Sequence, residues 1–306
     1  MIKALVMFSG GLDSLLAIKI LENQGIDCTA LTFTTPFFGK EKAKRQAEKF
    51  GIKFMAIDIS NEHFEVLKNP KYGYGKNLNP CIDCHGFMFR MAGEIADKEG
   101  YDIIASGEVL GQRPMSQNRQ ALVNVRKLTG RDILRPMSAK LLEETVYEKE
   151  GLVDRDQLLE IEGRGRQAQI KLAEKFGLKD YEAPGGGCLL TEGGYTDKLK
   201  LLLEKFPKDI FPLDAELIKY GRLKLFDRGF GVMGRNIDDN SKLFSLTKLK
   251  DNYSLIELKD IKGPTIALKS INGKKYEKSD IKSWFLEKVS KLKGLEDVQI
   301  ISKKVE

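Results

Sequence analysis

The chain has 306 residues, 42% of them hydrophobic, which suits two or three domains with real cores. No apolar run approaches the roughly 20 residues of a membrane span, and the N-terminus enters strand and loop at once, so a soluble cytoplasmic protein with no signal peptide and no membrane partner is expected. The net charge of +7 is unevenly spread: 27 Lys+Arg balance 27 Asp+Glu up to residue 193, and 24 face 17 beyond it. A basic C-terminal third points to a polyanionic partner, RNA above all, with a Lys-rich solvated surface as the alternative. Four cysteines are too few for a disulfide framework in a chain this long.

In chain order, Ala4–Phe8 reads as a strand and Ser14–Gln24 as a helix. Between them stands Ser9-Gly10-Gly11-Leu12-Asp13-Ser14. Two glycines let a backbone turn tightly and approach a phosphate closely. Ser9, Ser14 and the first N–H groups of the helix then offer donors to an anion at a positive helix end. No Gly-Lys-Ser/Thr follows, so this is not a Walker loop but a pyrophosphate loop. The alternative is a plain Gly-Gly turn before a capped helix. Cys28–Phe33 is a second strand, Lys40–Phe50 a helix, Lys53–Ile59 a third strand, Ile82–Glu99 a long helix and Asp102–Ser106 another strand. This alternation predicts an α/β fold, a doubly wound parallel sheet whose ligands bind beyond the strands' carboxyl ends. Helices are expected over Gln117–Thr129, Lys140–Glu150 and Arg164–Phe176. Residues Tyr72–Pro80 read as a mobile loop, and Ala183–Cys188 as a glycine loop. After Gly194 the texture changes to a small α+β module. It has helices at Thr196–Phe206 and Ser279–Lys293, and strands at Arg222–Phe226, Ser254–Leu258, Thr265–Lys269 and Asp297–Ser302. The expected domains are residues 1–193 and 194–306.

Two further constellations carry chemistry. Cys81-Ile82-Asp83-Cys84 opens a helix, a setting that lowers thiol pKa values. With Cys188 on its glycine loop, three thiolates can hold a [4Fe–4S] cluster with one iron open. They could instead bind zinc, with His85 as a tempting but awkwardly adjacent fourth ligand, or serve as a redox pair. Three unrelated buried cysteines are the bland alternative. The segment Ser106–Gln117 follows a strand and carries two glycines with amide and hydroxyl groups, including Ser106, Gly107 and Gln112. At a strand's carboxyl edge that is nucleotide- or substrate-facing chemistry; otherwise it is an ordinary strand-to-helix turn.

The Ser9–Ser14 loop together with Ser106–Gln117 resembles the tRNA 4-thiouridine synthetases. Arg135-Pro136-Met137-Ser138-Ala139-Lys140 is similar to a downstream stretch of that family. The CxxC and later cysteine resemble the tRNA 2-thiouridylases, and the third cysteine resembles cluster-bearing tRNA thiolation enzymes. The resemblance covers about residues 1–193. Beyond it, Tyr220-Gly221-Arg222, Gly231–Asn236 and Asn240–Leu243 resemble the NFACT-type RNA-binding domain. No ferredoxin-like and THUMP region and no rhodanese domain is recognised. The resemblance implies an adenine nucleotide α-hydrolase-like fold and ATP-dependent replacement of a uridine carbonyl oxygen by sulfur, with 4-thiouridine favoured over a 2-thiouridine. ATP and Mg2+ are the implied cofactors beside the cluster. Ser9, Gly10, Gly11, Asp13 and Ser14 would hold phosphate, Phe33 would line the adenine side, and Lys140 would neutralise phosphate charge. Ser106, Gly107 and Gln112 would complete the nucleotide site, and Asp13, Cys81, Cys84 and Cys188 would be the catalytic set. The tRNA would lie on Arg222, Lys224, Arg228, Arg235, Lys274 and Lys275. Sulfur would come from free sulfide or a persulfide-carrying protein, and a homodimer spanned by one tRNA fits the scheme. The rivals are a zinc-containing small-molecule pyrophosphatase, such as a 7-deazaguanine nitrile synthase, and a non-enzymatic RNA-binding protein.

Overall fold

The computed structural model describes residues 1–182, 187–248, 252–258, 262–271, 276–289 and 300–303. The chain divides into two compact units, Met1–Thr191 and Glu192–Glu306. No helix among the described residues is long and apolar enough to cross a membrane.

The first unit alternates strand and helix: β1 (Lys3–Met7), α1 (Leu12–Glu22), β2 (Asp27–Thr34), α2 (Glu41–Lys49), β3 (Lys53–Asp58), α3 (Ser60–Lys68), α4 (Cys81–Glu99), β4 (Ile103–Ser106), α5 (Arg119–Thr129), α6 (Val146–Lys149) and α7 (Gln167–Lys175). The strands form one parallel sheet in the order β3-β2-β1-β4. Strand side chains alternate between faces, and β1 shows it. Ala4 and Val6 join α1, Ala43 and Ala47 of α2 and Ala173 of α7 in one core. Leu5 joins Phe87, Phe89 and Ala92 of α4 and Val125 of α5 in the other. Helices therefore cover both faces, the doubly wound arrangement in which strand carboxyl ends make the ligand edge.

Local chemistry moves several boundaries. The helix expected over Lys140–Glu150 does not form. Leu142 is extended, and helix starts afresh at α6, where Thr145 accepts from and donates to the Glu148 end of a capping box. α3 lies where no helix was expected. The Tyr72–Pro80 loop is pinned rather than loose. Tyr74 donates to the Leu67 carbonyl at 2.7 Å and Asn77 to the Thr191 carbonyl at 2.8 Å. Just inside α4, Asp83 accepts from the Lys71 and Tyr72 amides.

The second unit comprises α8 (Gly193–Lys205), α9 (Pro212–Leu217), β5 (Arg222–Phe226), β6 (Gly229–Met233), α10 (Ile237–Thr247), β7 (Tyr253–Leu258), β8 (Ile266–Ser270), α11 (Lys278–Val289) and β9 (Ile300–Lys303). Its sheet is antiparallel in the order β5-β6-β8-β7-β9. The glycines of β6 hide it from a propensity reading, yet all five residues are buried. A Cβ on Gly231 would meet the Trp284 ring at 2.8 Å, so glycine there lets the tryptophan seat against the sheet. A buried ion pair, Lys269 to Asp214 at 2.6 Å, ties β8 to α9, with the Tyr253 hydroxyl donating to the same carboxylate. Three aromatic rings, Phe211, Phe230 and Tyr253, surround the ammonium.

Candidate functional site

The loop Ser9–Ser14 joins β1 to α1 at the carboxyl edge of the sheet. Gly10 has φ +73°, and a Cβ there would lie 2.7 Å from the Ala43 backbone, so only glycine fits. The Ser14 hydroxyl donates to the Gly11 carbonyl at 2.9 Å and lies 3.5 Å from the Ser9 hydroxyl. No side chain caps α1: Gly11 is its N-cap. The first N–H groups of the helix therefore stay free for an anion.

The Ser106–Gln117 segment closes on this loop. A Cβ on Gly107 would sit 2.5 Å from the carbonyl of Asp13 and the amide of Ser14, so the two backbones touch. Gln112 donates to Asp13 Oδ2 at 3.0 Å. Ser106 is buried and donates to Glu108 at 3.3 Å. Glu108, 6% exposed, is the hub of a charged chain that no motif announced. Arg135 Nε donates to one of its oxygens at 2.9 Å, and His85 Nδ1 lies 2.8 Å from the other. Burial alone would raise the Glu108 pKa, but the Arg135 charge and the His85 hydrogen bond outweigh it and hold it at about 2. His85 is thus engaged with Glu108 through Nδ1. Arg135 Nη2 is buried with no hydrogen-bond partner among the described residues.

Two nucleotide-site expectations shift. The Phe33 ring is 2% exposed and packs in the core with Leu31, Phe87 and Phe89, so it does not present a face to a base. Residues 31 and 33 share a face by strand alternation. The Lys140 ammonium donates to the Asp156 carbonyl at 2.8 Å. A cation that does reach the loop is Arg166, with Nη2 3.2 Å from Asp13 Oδ2.

Cys81 and Cys84 begin α4, one turn apart. Residues 183–186 of the expected glycine loop lie outside the described residues; beyond them, the Leu189 amide donates to the Phe37 carbonyl at 3.0 Å and Cys188 lies within electrostatic reach of Cys84. Burial pushes both α4 thiols up, and at Cys84 the proximity of Cys188 and Cys81 pushes further. The expected lowering at a helix start is therefore reversed, because desolvation exceeds the helix-end effect. Cys84 has a partner missed in the sequence: His63 Nε2 of α3 lies 3.0 Å from its sulfur. His63 is fully buried among Phe37, Phe38 and Phe87, and burial lowers its pKa to about 4. No three His, Cys, Asp or Glu side chains among the described residues are gathered to hold a single metal ion. Cys84 lies within electrostatic reach of both Cys81 and Cys188, and of the three only Cys84 is buried.

In the second unit, the motif Gly234-Arg235-Asn236 builds the corner from β6 to α10. The Asn236 side chain caps α10 by accepting from the Asp239 amide at 2.8 Å, and Asn240 accepts from the Thr265 amide at 3.0 Å. Arg235 pairs with Asp239 at 2.7 Å, Arg228 with Glu277 at 3.4 Å and Lys224 with Glu287 at 3.8 Å. Arg222 is exposed at the start of β5. Lys274 and Lys275 lie outside the described residues.

Comparison with known proteins bears on the first unit. Its residues 2–146 match the family model described as "Thiamine biosynthesis protein (ThiI)". The chain is 36% identical over 120 residues to the "tRNA-specific 2-thiouridylase MnmA" of Treponema denticola, which covers 34% of this chain and 32% of that protein. It is 27% identical over 144 residues to the "Probable tRNA sulfurtransferase" of Streptococcus gordonii, covering 44% and 34%. The chain thus spans about a third of the length of these curated relatives. A solved structure described as "Crystal structure of a 4-thiouridine synthetase - RNA complex with bound ATP" aligns at a TM-score of 0.39 and 19% identity, over 67% of this chain and 51% of that one. The family-model match, residues 2–146, lies within the first unit.

Proposed function

We propose that this chain is an ATP-dependent tRNA thiolation enzyme. The observation that carries the reading is the uncapped Ser9–Ser14 loop at the carboxyl edge of the sheet, in a domain of this family and in a unit that also brings Cys84 and Cys188 within electrostatic reach. ATP lays its phosphates on Ser9, Gly10, Gly11 and Ser14 at the α1 N-terminus, with Ser106, Gly107 and Gln112 closing the far side. Asp13, held by Arg166 and Gln112 in the structure, would be the carboxylate for Mg2+ there. The uridine carbonyl oxygen attacks the α-phosphorus, pyrophosphate leaves, and the base carries AMP as its leaving group. A sulfur nucleophile then adds to that carbon and expels AMP. Positioning and neutralisation of phosphate charge supply the catalysis.

Cys81, Cys84 and Cys188 would hold a [4Fe–4S] cluster, whose open iron supplies a binding place for hydrosulfide. The chain's own part is to bring the three thiols together, with Cys84 buried and Cys81 and Cys188 half-buried. A persulfide relay is the second reading, favoured by the His63 contact on Cys84. Protein purified without oxygen is expected to carry iron and visible absorbance, both lost in Cys84→Ala. Colourless, iron-free protein that still thiolates would remove the cluster.

The second unit is proposed to hold tRNA by an NFACT-like surface, with Arg222, Lys224, Arg228 and Arg235, and with Lys274 and Lys275 as further candidates. The target base leaves its stack to reach the loop. Binding is expected to weaken steeply with salt, and Arg222→Gln to reduce the slope of log K against log salt by about 1. Filter binding across a salt series measures it, and a salt-independent affinity contradicts the RNA surface.

The reading of the target is tested by nucleoside mass spectrometry of tRNA from cells lacking the protein. Loss of 4-thiouridine is expected. Loss of a 2-thiouridine instead moves the target to the other carbonyl, and unchanged thionucleosides contradict the function.

A further inference from the structure

The segment Glu162-Gly163-Arg164-Gly165-Arg166 is marked by no recognised motif, yet it is built into the nucleotide edge. Glu162 forms a parallel bridge with Leu110, and the Gly163 amide donates to the Leu110 carbonyl at 2.7 Å. Gly163 turns at φ +85°, a conformation that favours glycine. The segment ends at α7, which packs on α1. It thereby hangs from the Ser106–Gln117 wall and delivers Arg166 to the pyrophosphate loop. Arg166 Nη2 lies 3.2 and 3.4 Å from the two Asp13 oxygens, and Gln112 shares Oδ2 with it. The Arg166 Nε is buried and has no hydrogen-bond partner among the described residues. A guanidinium carries five N–H donors in a rigid fork, and Asp13 engages Nη2 alone.

We infer that Arg166 is a polyphosphate-binding residue, gripping the β- and γ-phosphates of a nucleoside triphosphate laid on the α1 N-terminus. This rests on the reading of the Ser9–Ser14 loop as an ATP site and adds the residue that discriminates triphosphate from monophosphate. The fork geometry suits two phosphate oxygens at once, which Lys140, bound to the Asp156 carbonyl, does not offer. Asp13 and the phosphates then share one cation, and Gln112 keeps the carboxylate in place while the guanidinium turns.

Equilibrium dialysis of the full chain with ATP and with AMP, in magnesium buffer, tests it. Arg166→Gln is expected to weaken ATP by about 10- to 100-fold, the scale of a lost charge-assisted pair, and AMP by less than about threefold. Arg166→Lys restores part of the ATP affinity. Equal losses for ATP and AMP, or no loss for either, would overturn the assignment. If Arg166→Gln does not fold, Arg166→Lys alone carries the comparison, with ATP weakened and AMP unchanged. Wild-type protein that binds no ATP removes the nucleotide reading and the clamp with it. Wild-type binding with an Arg166→Gln variant that holds ATP equally well removes only the clamp.

Discussion

Arg135→Leu is expected to destabilise the protein by about 3–5 kcal/mol, the cost of leaving one member of a buried ion pair without its partner. Arg135 and Glu108 are each about nine-tenths buried or more, and their contact is 2.9 Å. With Arg135 gone, Glu108 keeps only His85 and the Ser106 hydroxyl as side-chain partners among the described residues. The double variant Arg135→Leu, Glu108→Leu should recover much of the loss, because a packed apolar pair has no charge to desolvate. Urea unfolding midpoints of the single and double variants measure this, and a single variant within 1 kcal/mol of wild type, by the usual scale of surface changes, contradicts it.

The pH dependence follows with a definite sign. Glu108 is held at about 2 in the folded protein against an ordinary value of 4.5. Its folded pKa is depressed, so its stabilisation is complete above pH 4.5 and is lost as pH falls from 4.5 towards 2, on the order of 3 kcal/mol over that window. In Arg135→Leu the Glu108 pKa rises from its wild-type value, because burial loses its largest counterweight. The variant then loses less on protonation than wild type does, so its deficit against wild type should narrow in acid.

Gly107→Ala is expected to disable the nucleotide site while the sheet survives. The added carbon would stand 2.5 Å from the Asp13 carbonyl and the Ser14 amide, a distance real Cβ contacts do not show. The atoms it meets are backbone, so no side chain can swing aside, and the Ser106–Gln117 wall must part from the Ser9–Ser14 loop. A displacement near 1 Å at a reacting centre costs about 10²-fold in rate. ATP dialysis and single-turnover AMP release measure the effect, with circular dichroism to show the retained fold. Normal turnover in Gly107→Ala would mean that the closeness of these two segments is irrelevant to the chemistry.

Features carried by neighbours in sequence were legible before the fold was known. The pyrophosphate loop needs two glycines, two serines and a strand-helix junction, all within Ala4–Leu21. The parallel sheet follows from alternating apolar strands and helices. What escaped depends on contacts between distant residues. His63 meets Cys84 across 21 positions, His85 meets Glu108 across 23, and Arg166 meets Asp13 across 153. No local spacing announces such pairs, and a buried His in an apolar helix face looks like core. Lys140 drew attention because it lies in a motif, whereas Arg166 does not. The glycine-rich β6 and the Asn-capped α10 were missed for a different reason. Their residues favour turns in isolation and are held in place by Trp284 above Gly231 and by Asn240 against Gly234.

The central claim is that one active site couples ATP cleavage at the loop to sulfur insertion at the cysteines. The most direct measurement incubates the full chain, prepared without oxygen, with unmodified tRNA, ATP and sulfide. AMP and thiouridine are then counted in the same reaction. The account predicts one AMP for each thiouridine formed, with both products absent in Gly107→Ala and in Cys84→Ala, and pyrophosphate still released in Cys84→Ala as the base is adenylated. Thiouridine made without ATP, or ATP cleaved at full rate without RNA, would contradict it.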